Sequence, residues 1–331
     1  MPAKPKPAFP LPAAVHPGEA DLIAAALANL ADDTAKLVYA DWLDERADPR
    51  GPLLQQFVTA HRAGTKLPAL KAAPKPWCDL LGLTLTAALR KTDLAPKTDG
   101  FLALARPTIA YTTAKAAEKA LPVGASKFGG RPDLPSDVAW PRHGDEPLSF
   151  LGQFNLAELR PSPVARELPA AGVLSAFALY RGDGDDDFPD GSWRLFYFPD
   201  PAALARRDFD DDLEAVSRFP ACRVTFADAL TVPKWDSPWA AELEALGVGE
   251  YGEPFADVYF DLTPGAHLLG HPSPIQGDTL GSKDVRHLLT ICGNEHTGWE
   301  FGDGGALYFT LSDADLTAGR FDRVKMHMDC G

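Results

Sequence analysis

The hydrophobic period changes near residue 100, and that change limits the possible folds of this 331-residue chain more than any single motif does. Before it, apolar residues recur at intervals of three and four, the repeat of an amphipathic helix. After it, they alternate or run together in stretches of four to eight, separated by Gly, Pro and Asp, as strands do. Within residues 18–50, Leu22, Ile23, Ala26, Leu27 and Leu30 share one helical face, and Leu37, Val38, Asp41, Trp42 and Glu45 follow at similar spacing. Asp32 or Asp33, at the break between them, suits an N-cap, so the pattern predicts a helical hairpin. Residues 51–62 and 77–90 predict two more helices, separated by a flexible stretch at 63–76.

Beyond residue 100 the pattern predicts strands at 172–180, 193–198, 222–226, 256–262, 285–292, 305–311 and 322–328. Helical patterns are fewer: 112–120, 155–160, 237–247 and 312–319, the last opening on Ser312 with Asp315 at capping-box spacing. Many strands without strand-helix alternation imply an α+β fold, not a doubly wound one. The expected architecture is a small N-terminal α-helical domain followed by a mostly antiparallel β-sheet domain with a few short helices. The expected boundaries are a disordered Pro/Ala/Lys-rich tail at 1–17, the helical domain at 18–92, a linker at 93–100 and the sheet domain at 101–331.

Charge is uneven. Residues 1–100 hold 12 Lys/Arg and 11 Asp/Glu of the chain's 32 and 46, so residues 101–331 hold 20 and 35 and carry −15, against −14 for the whole chain. An acidic surface repels phosphate backbones and anionic lipid, which argues against nucleic acid as a partner. No apolar run of membrane-spanning length exists, and prolines interrupt the N-terminal stretch where a signal peptide needs continuity. A cytoplasmic protein is expected. Cys78, Cys222, Cys292 and Cys330 are far apart with no C-x-x-C pair, which reads as free thiols.

The stretch SKFGGRPDLPSDVAWP, 126–141, has neither helical nor strand period. Gly129 and Gly130 allow positive φ and close backbone approach, and the prolines fix extended segments around them. Such a loop supports its neighbours, or presents amide N–H groups to an anion with Lys127 as counter-charge. Gln153 and Asn155, two apart, share one face of a strand, suited to a ligand or to a neighbouring loop's backbone. Asp303, set among Gly302, Gly304 and Gly305, caps its own turn or acts as a general base or metal ligand. His267 and His271 are four apart, but Pro272 opposes the helix a zinc pair would need, so no metal is expected. The acidic run at 182–191 lacks the sixth-position glycine and twelfth-position glutamate of a calcium loop and reads as a solvated turn. No G-x-S-x-G or H-E-x-x-H motif is present.

Two resemblances follow from contiguous motifs. LVYADWLDERADPR, Leu37 to Arg50, resembles the signature of a short repeat-companion domain found at the front of many bacterial proteins, over about 18–62. That resemblance implies no catalytic role. S-K-x-G-G-x-P-x-L-P from Ser126, then Trp140-Pro141, then PLSFLGQFNL at 147–156, together resemble the start of the YwqG-like family, a bacterial domain of unknown function. LLGHPSPIQGD at 268–278 is similar to that family's L-G-Y-P-x-x-Q segment, and Leu288 to Cys330 to its C-terminal block, so the resemblance covers about 101–331.

The expected function is a cytoplasmic binding or interaction protein of unknown ligand, with a protein or small molecule as partner and no cofactor. The alternative is a hydrolase-type enzyme with a site around Lys127, His271 and Asp303. Ligand-binding candidates are Lys127, Gly129, Gly130, Gln153, Asn155, His271, Gln276 and Asp303, expected to meet in one place because such residues are costly unless another backbone or a ligand takes up their polar groups.

Overall fold

The computed structural model describes residues 8–9, 13–182 and 188–331. Helices come first: α1 (Glu19–Leu27), α2 (Asp33–Asp44), α3 (Arg50–Arg62), α4 (Lys75–Leu80), α5 (Leu83–Leu89) and α6 (Thr98–Leu104). Asp32 caps α2 by accepting from the Thr34 N–H at 2.8 Å. Strands follow: β1 (Arg106–Lys115), β2 (Lys127–Phe128), β3 (Asp133–Pro135), β4 (Arg142–His143), β5 (Glu146–Pro147), β6 (Ser149–Asn155), β7 (Val173–Ala178), β8 (Trp193–Phe198), β9 (Leu204–Arg206) and β10 (Cys222–Thr231). After α7 (Ala240–Ala245) and α8 (Ala256–Leu262) come β11 (His267–Leu268), β12 (Val285–Cys292), β13 (Ala306–Ser312), α9 (Asp313–Thr317) and β14 (Lys325–Asp329). Ser312 caps α9 as expected, accepting from the Asp315 N–H at 3.1 Å.

Ten strands form one antiparallel sheet in the order β14, β13, β12, β11, β1, β10, β2, β6, β7, β8. The β3–β9 and β4–β5 pairs are separate ribbons. The sheet curls until its ends approach: Tyr197 of β8 packs on Phe321 at 5.2 Å, and the Trp193 indole N–H donates to the Val324 carbonyl at 3.5 Å. One end of the sheet is marked by Lys115 of β1 and Cys222 of β10, which pair, and the other by Arg106 and Thr231.

Two segments differ from the sequence pattern. Residues 112–120 read as helix because Ala and Lys favour it, but 112–115 complete β1, whose ten residues all pair with β10. Tertiary pairing overrides a local propensity here. Residues 256–262 read as a strand but form α8; Phe255, Val258, Tyr259 and Leu262 fall at helical spacing, and the first three are buried.

The helices and the sheet share one apolar core, which runs from Ile23, Tyr39, Leu54 and Trp77 through Ile109 and Phe226 to Leu307 and Phe309. The expected linker at 93–100 is folded: a 3-10 turn at Ala95–Lys97 leads into α6, Leu94 and Thr98 are buried, and Phe101 meets Phe255 at 4.7 Å. The expected tail is also docked where it is described. Phe9 stacks on Phe226 at 6.4 Å, the Phe226 N–H donates to the Ala8 carbonyl, and the Ala13 N–H donates to Asp228 at 3.0 Å. The stretch beside β10 that β2 leaves unpaired supplies the physical reason, since its backbone groups need partners.

Tyr39, Asp48 and Arg50, from the stretch that carries the repeat-companion resemblance, join a buried polar cluster with Glu19 and Trp77. Arg50 donates to Glu19 at 2.8 Å and to Asp48 at 2.7 Å, Tyr39 donates to Glu19, and the Trp77 indole N–H donates to the Tyr39 hydroxyl at 2.9 Å. Glu19 and Tyr39 are fully buried. Arg50 holds Asp48 well below the usual carboxylate range.

Candidate functional site

The 126–135 loop is built by close approach. Gly129 (φ +57°) lies where a Cβ would meet the Pro220 carbonyl oxygen at 2.3 Å, and Gly130 (φ +68°) where it would meet Glu118 at 2.5 Å. Glycine is the residue that fits both. The Gly129 and Gly130 N–H groups donate to the Leu151 and Phe219 carbonyls, so neither is presented to an anion.

Lys127 is fully buried. Its ammonium group donates to the Arg131 carbonyl and to Glu118 at 3.3 Å, and stands 3.8 Å from Asp133. Burial lowers its pKa, and the carboxylates of Asp133 and Glu118 pull the other way. Arg206 completes the cluster, donating to Glu118 at 2.7 Å, to Asp133 and to the Leu121 carbonyl at 3.0 Å. Gln153 accepts from the Asp133 N–H at 3.1 Å and donates to Asp133 at 2.7 Å and to the Ala125 carbonyl at 2.9 Å. Asn155 donates to the Gly124 carbonyl at 2.8 Å and accepts from the Ala157 N–H at 3.0 Å. Every polar group that made this loop a ligand candidate is engaged by the protein itself.

The remaining candidates make other contacts. His271 lies at the Arg106 end, fully buried; its N–H donates to Thr231 at 2.8 Å, its Nε2 is 2.8 Å from the Leu104 carbonyl, and its ring meets Trp239 edge-on at 4.6 Å. Desolvation holds its pKa near about 3, so the ring is neutral at pH 7. Lys127 pairs with Arg223 at the Lys115 end, so His271 and Lys127 stand toward opposite ends of the sheet. Gln276 is exposed, and its N–H donates to Asp329 at 2.7 Å. Asp303 is exposed in its turn, where its carbonyl accepts from the Gly331 N–H at 3.0 Å. The expected constellation of Lys127, His271 and Asp303 therefore does not converge. His267, also buried, turns its Nε2 to the His271 carbonyl at 2.8 Å. Of the acidic run at 182–191, residues 183–187 lie outside the described residues.

Three of the four motif blocks do share the Lys115 end. Trp299 packs on Phe128 at 5.3 Å and on Phe219 at 5.0 Å, and its indole N–H donates to the Cys292 carbonyl at 2.8 Å. This joins the 299–305 turn to the glycine loop and, through the pairing of Lys127 with Gln153, to β6. The 271–278 loop begins at the other end.

At the Lys115 end the 293–298 turn stands beside an open groove of about 520 Å³, lined by Lys115, Ala116, Ala117, Pro220, Ala221, Glu295, His296, Thr297 and Gly298. Pro220 lines it and is the residue against which Gly129 packs. Thr113 anchors the wall: its hydroxyl oxygen accepts from the Asn294 amide at 2.9 Å and is 2.9 Å from His296 Nδ1. Asn294 also accepts from the His296 N–H at 2.8 Å. The ring is thereby fixed through Nδ1, and Nε2, 3.8 Å from Glu295, is its open edge. Lys115, a carboxylate and this imidazole edge give the groove polar groups of both signs.

Sequence reasoning missed Thr113, Asn294 and His296. Asn-Glu-His-Thr-Gly between a strand and Trp299 is a visible polar turn, but its partner Thr113 is 183 residues from His296. Among the described residues no group of three His, Cys, Asp or Glu side chains is arranged to hold a metal ion.

The model of the family described as Domain of unknown function (DUF1963) matches residues 126–330, and the chain belongs to that family. No curated protein matches the chain.

Proposed function

We propose that this DUF1963 member is a binding protein that takes a small polar ligand in the groove at the Lys115 end of its sheet. The observation that carries this reading is the Thr113–His296 contact at 2.9 Å, which holds the imidazole by Nδ1 in the groove that Lys115 also lines. An acceptor or anionic group on the ligand would be recognised by Lys115 and by His296 Nε2, while the apolar lining of Pro220 and Ala221 would take its body. The motif blocks around Gly129 and Trp299 support the groove from beneath. We read them as the scaffold of a YwqG-like domain and the 18–62 helices as its repeat-companion module. We also keep the cytoplasm as the place of action; no helix of the described residues is long and apolar enough to cross a membrane.

A thermal-shift screen of small carboxylates and phosphates tests the proposal. Compounds that raise the Tm of the wild type should lose that effect in His296→Ala and in Lys115→Ala. Shifts of equal size in all three proteins would place the ligand elsewhere and overturn the reading.

A further inference from the structure

Three of the exposed large apolar side chains gather around one half-buried tryptophan. Phe260 is 67 % exposed and stands 5.9 Å from Trp235, edge-on. Tyr251 is 75 % exposed and precedes Gly252, which packs directly on the Trp235 ring. Ile275 is exposed, and its carbonyl accepts from Lys234, whose ammonium group lies over the same ring at 5.6 Å. A side chain as large as phenylalanine loses about 1.5–3 kcal/mol of possible burial when left in water, so a cluster of such residues marks a surface that something covers. Val258 and Tyr259 of the same helix face the core, and the helical repeat turns Phe260 away from it.

Apart from Lys234, the surroundings of the cluster are acidic. Residues 235–262 contain seven Asp or Glu and no Lys, Arg or His. Glu250, Glu253, Asp257 and Asp261 are exposed, with no ion-pair partner among the described residues. Asp257 and Asp261 flank Phe260 in sequence, within α8 and its immediate surroundings. Unpaired carboxylates around an aromatic centre repel anionic membranes and nucleic acid and attract cations. A partner that covers the rings must bring positive charge to the rim, because burying these carboxylates against a neutral surface would cost desolvation without return.

From this complementarity we propose that Trp235, Tyr251 and Phe260 form a docking surface for a lysine- and arginine-bearing apolar segment of a partner protein. The partner's apolar side chains rest on Phe260, Tyr251 and Ile275, and its cations pair with Asp257, Asp261, Glu250 and Glu253. The surface is separate from the groove at the Lys115 end, since Trp235 follows Thr231 at the opposite end of β10.

The test uses the full chain and a fluorescein-labelled amphipathic peptide of leucine, lysine and arginine, followed by anisotropy. Saturable binding is expected, weakening as salt rises because the rim charges are exposed. Tyr251→Ser/Phe260→Ser and, separately, Asp257→Lys/Asp261→Lys should each weaken it about tenfold or more, the effect of losing central interface contacts. These residues are exposed, so the variants should keep the wild-type circular dichroism and Tm. The matching peptide with glutamate in place of lysine and arginine should not bind. Equal affinity in all variants, or equal binding of the acidic peptide, would overturn the proposal. So would sedimentation showing a dimer of this chain that Phe260→Ser abolishes, because the occupant would then be a second copy.

Discussion

The Lys127 ammonium and the Asp133 carboxylate are 3.8 Å apart, both fully buried, and Arg206 and Glu118 close the charge cluster around them. Four charges, two of each sign, are balanced inside the protein, and removing one leaves its neighbours uncompensated. Asp133→Asn should therefore cost about 3–5 kcal/mol in urea unfolding, the range for breaking a buried ion pair. A loss below about 1 kcal/mol would show that water reaches the cluster.

Gln153 and Asp303 separate support from ligand binding. Gln153 makes three hydrogen bonds within the loop network, so Gln153→Ala should cost about 1–3 kcal/mol by leaving Asp133 and the Ala125 carbonyl short of partners. Asp303 is exposed, and Asp303→Ala should change stability by about 0.5 kcal/mol or less. A neutral Gln153→Ala would return the 126–135 loop to the list of ligand sites.

Much of the fold is legible in local sequence because periodicity is a local property. The helical hairpin, a cap at its break and the strands β7, β8, β10, β12, β13 and β14 follow from short-range patterns. What escapes depends on distant partners: β1 is a strand because β10 lies beside it, and 93–100 folds because Phe101 finds Phe255. The site divides the same way. Lys127 and Gln153 announce groups that need partners, but the sequence does not say that Glu118 and Asp133 are those partners. The Thr113–His296 contact spans almost the whole sheet domain in sequence, and no spacing rule reaches that far.

Stability should fall with acid because three buried histidines are held neutral. Desolvation puts the pKa of His267 at about 4 and of His271 at about 3, and pushes that of His287 well below its ordinary value. Unfolded histidine titrates near about 6.5. Below that pH the unfolded chain binds protons that the folded chain refuses, so each group removes about 1.4 kcal/mol per pH unit as the pH falls toward its folded value. Urea unfolding at pH 7.5 and at pH 5.5 checks this. Equal stability at the two pH values would mean that the rings are protonated in the folded state.

Asp228 tilts stability in the opposite direction, and its variant isolates the effect. Its carboxylate is buried on β10, accepting from the Ala13 N–H and the Ser162 hydroxyl, and burial raises its pKa to about 6. An unfolded aspartate titrates near about 3.9, so between these values the folded state binds the proton that the unfolded state has released. The stability this proton provides is fully present below about 3.9 and is lost as the pH rises through about 6. Asn at this position keeps an acceptor for Ala13 and a donor for the Ser162 oxygen without carrying a charge. Asp228→Asn should accordingly be more stable than the wild type by about 2–3 kcal/mol above pH 7, with the difference shrinking as the pH falls from 6 to 4. A difference that stays constant across that range would show that Asp228 ionises normally and that the docked segment at Ala13 admits water.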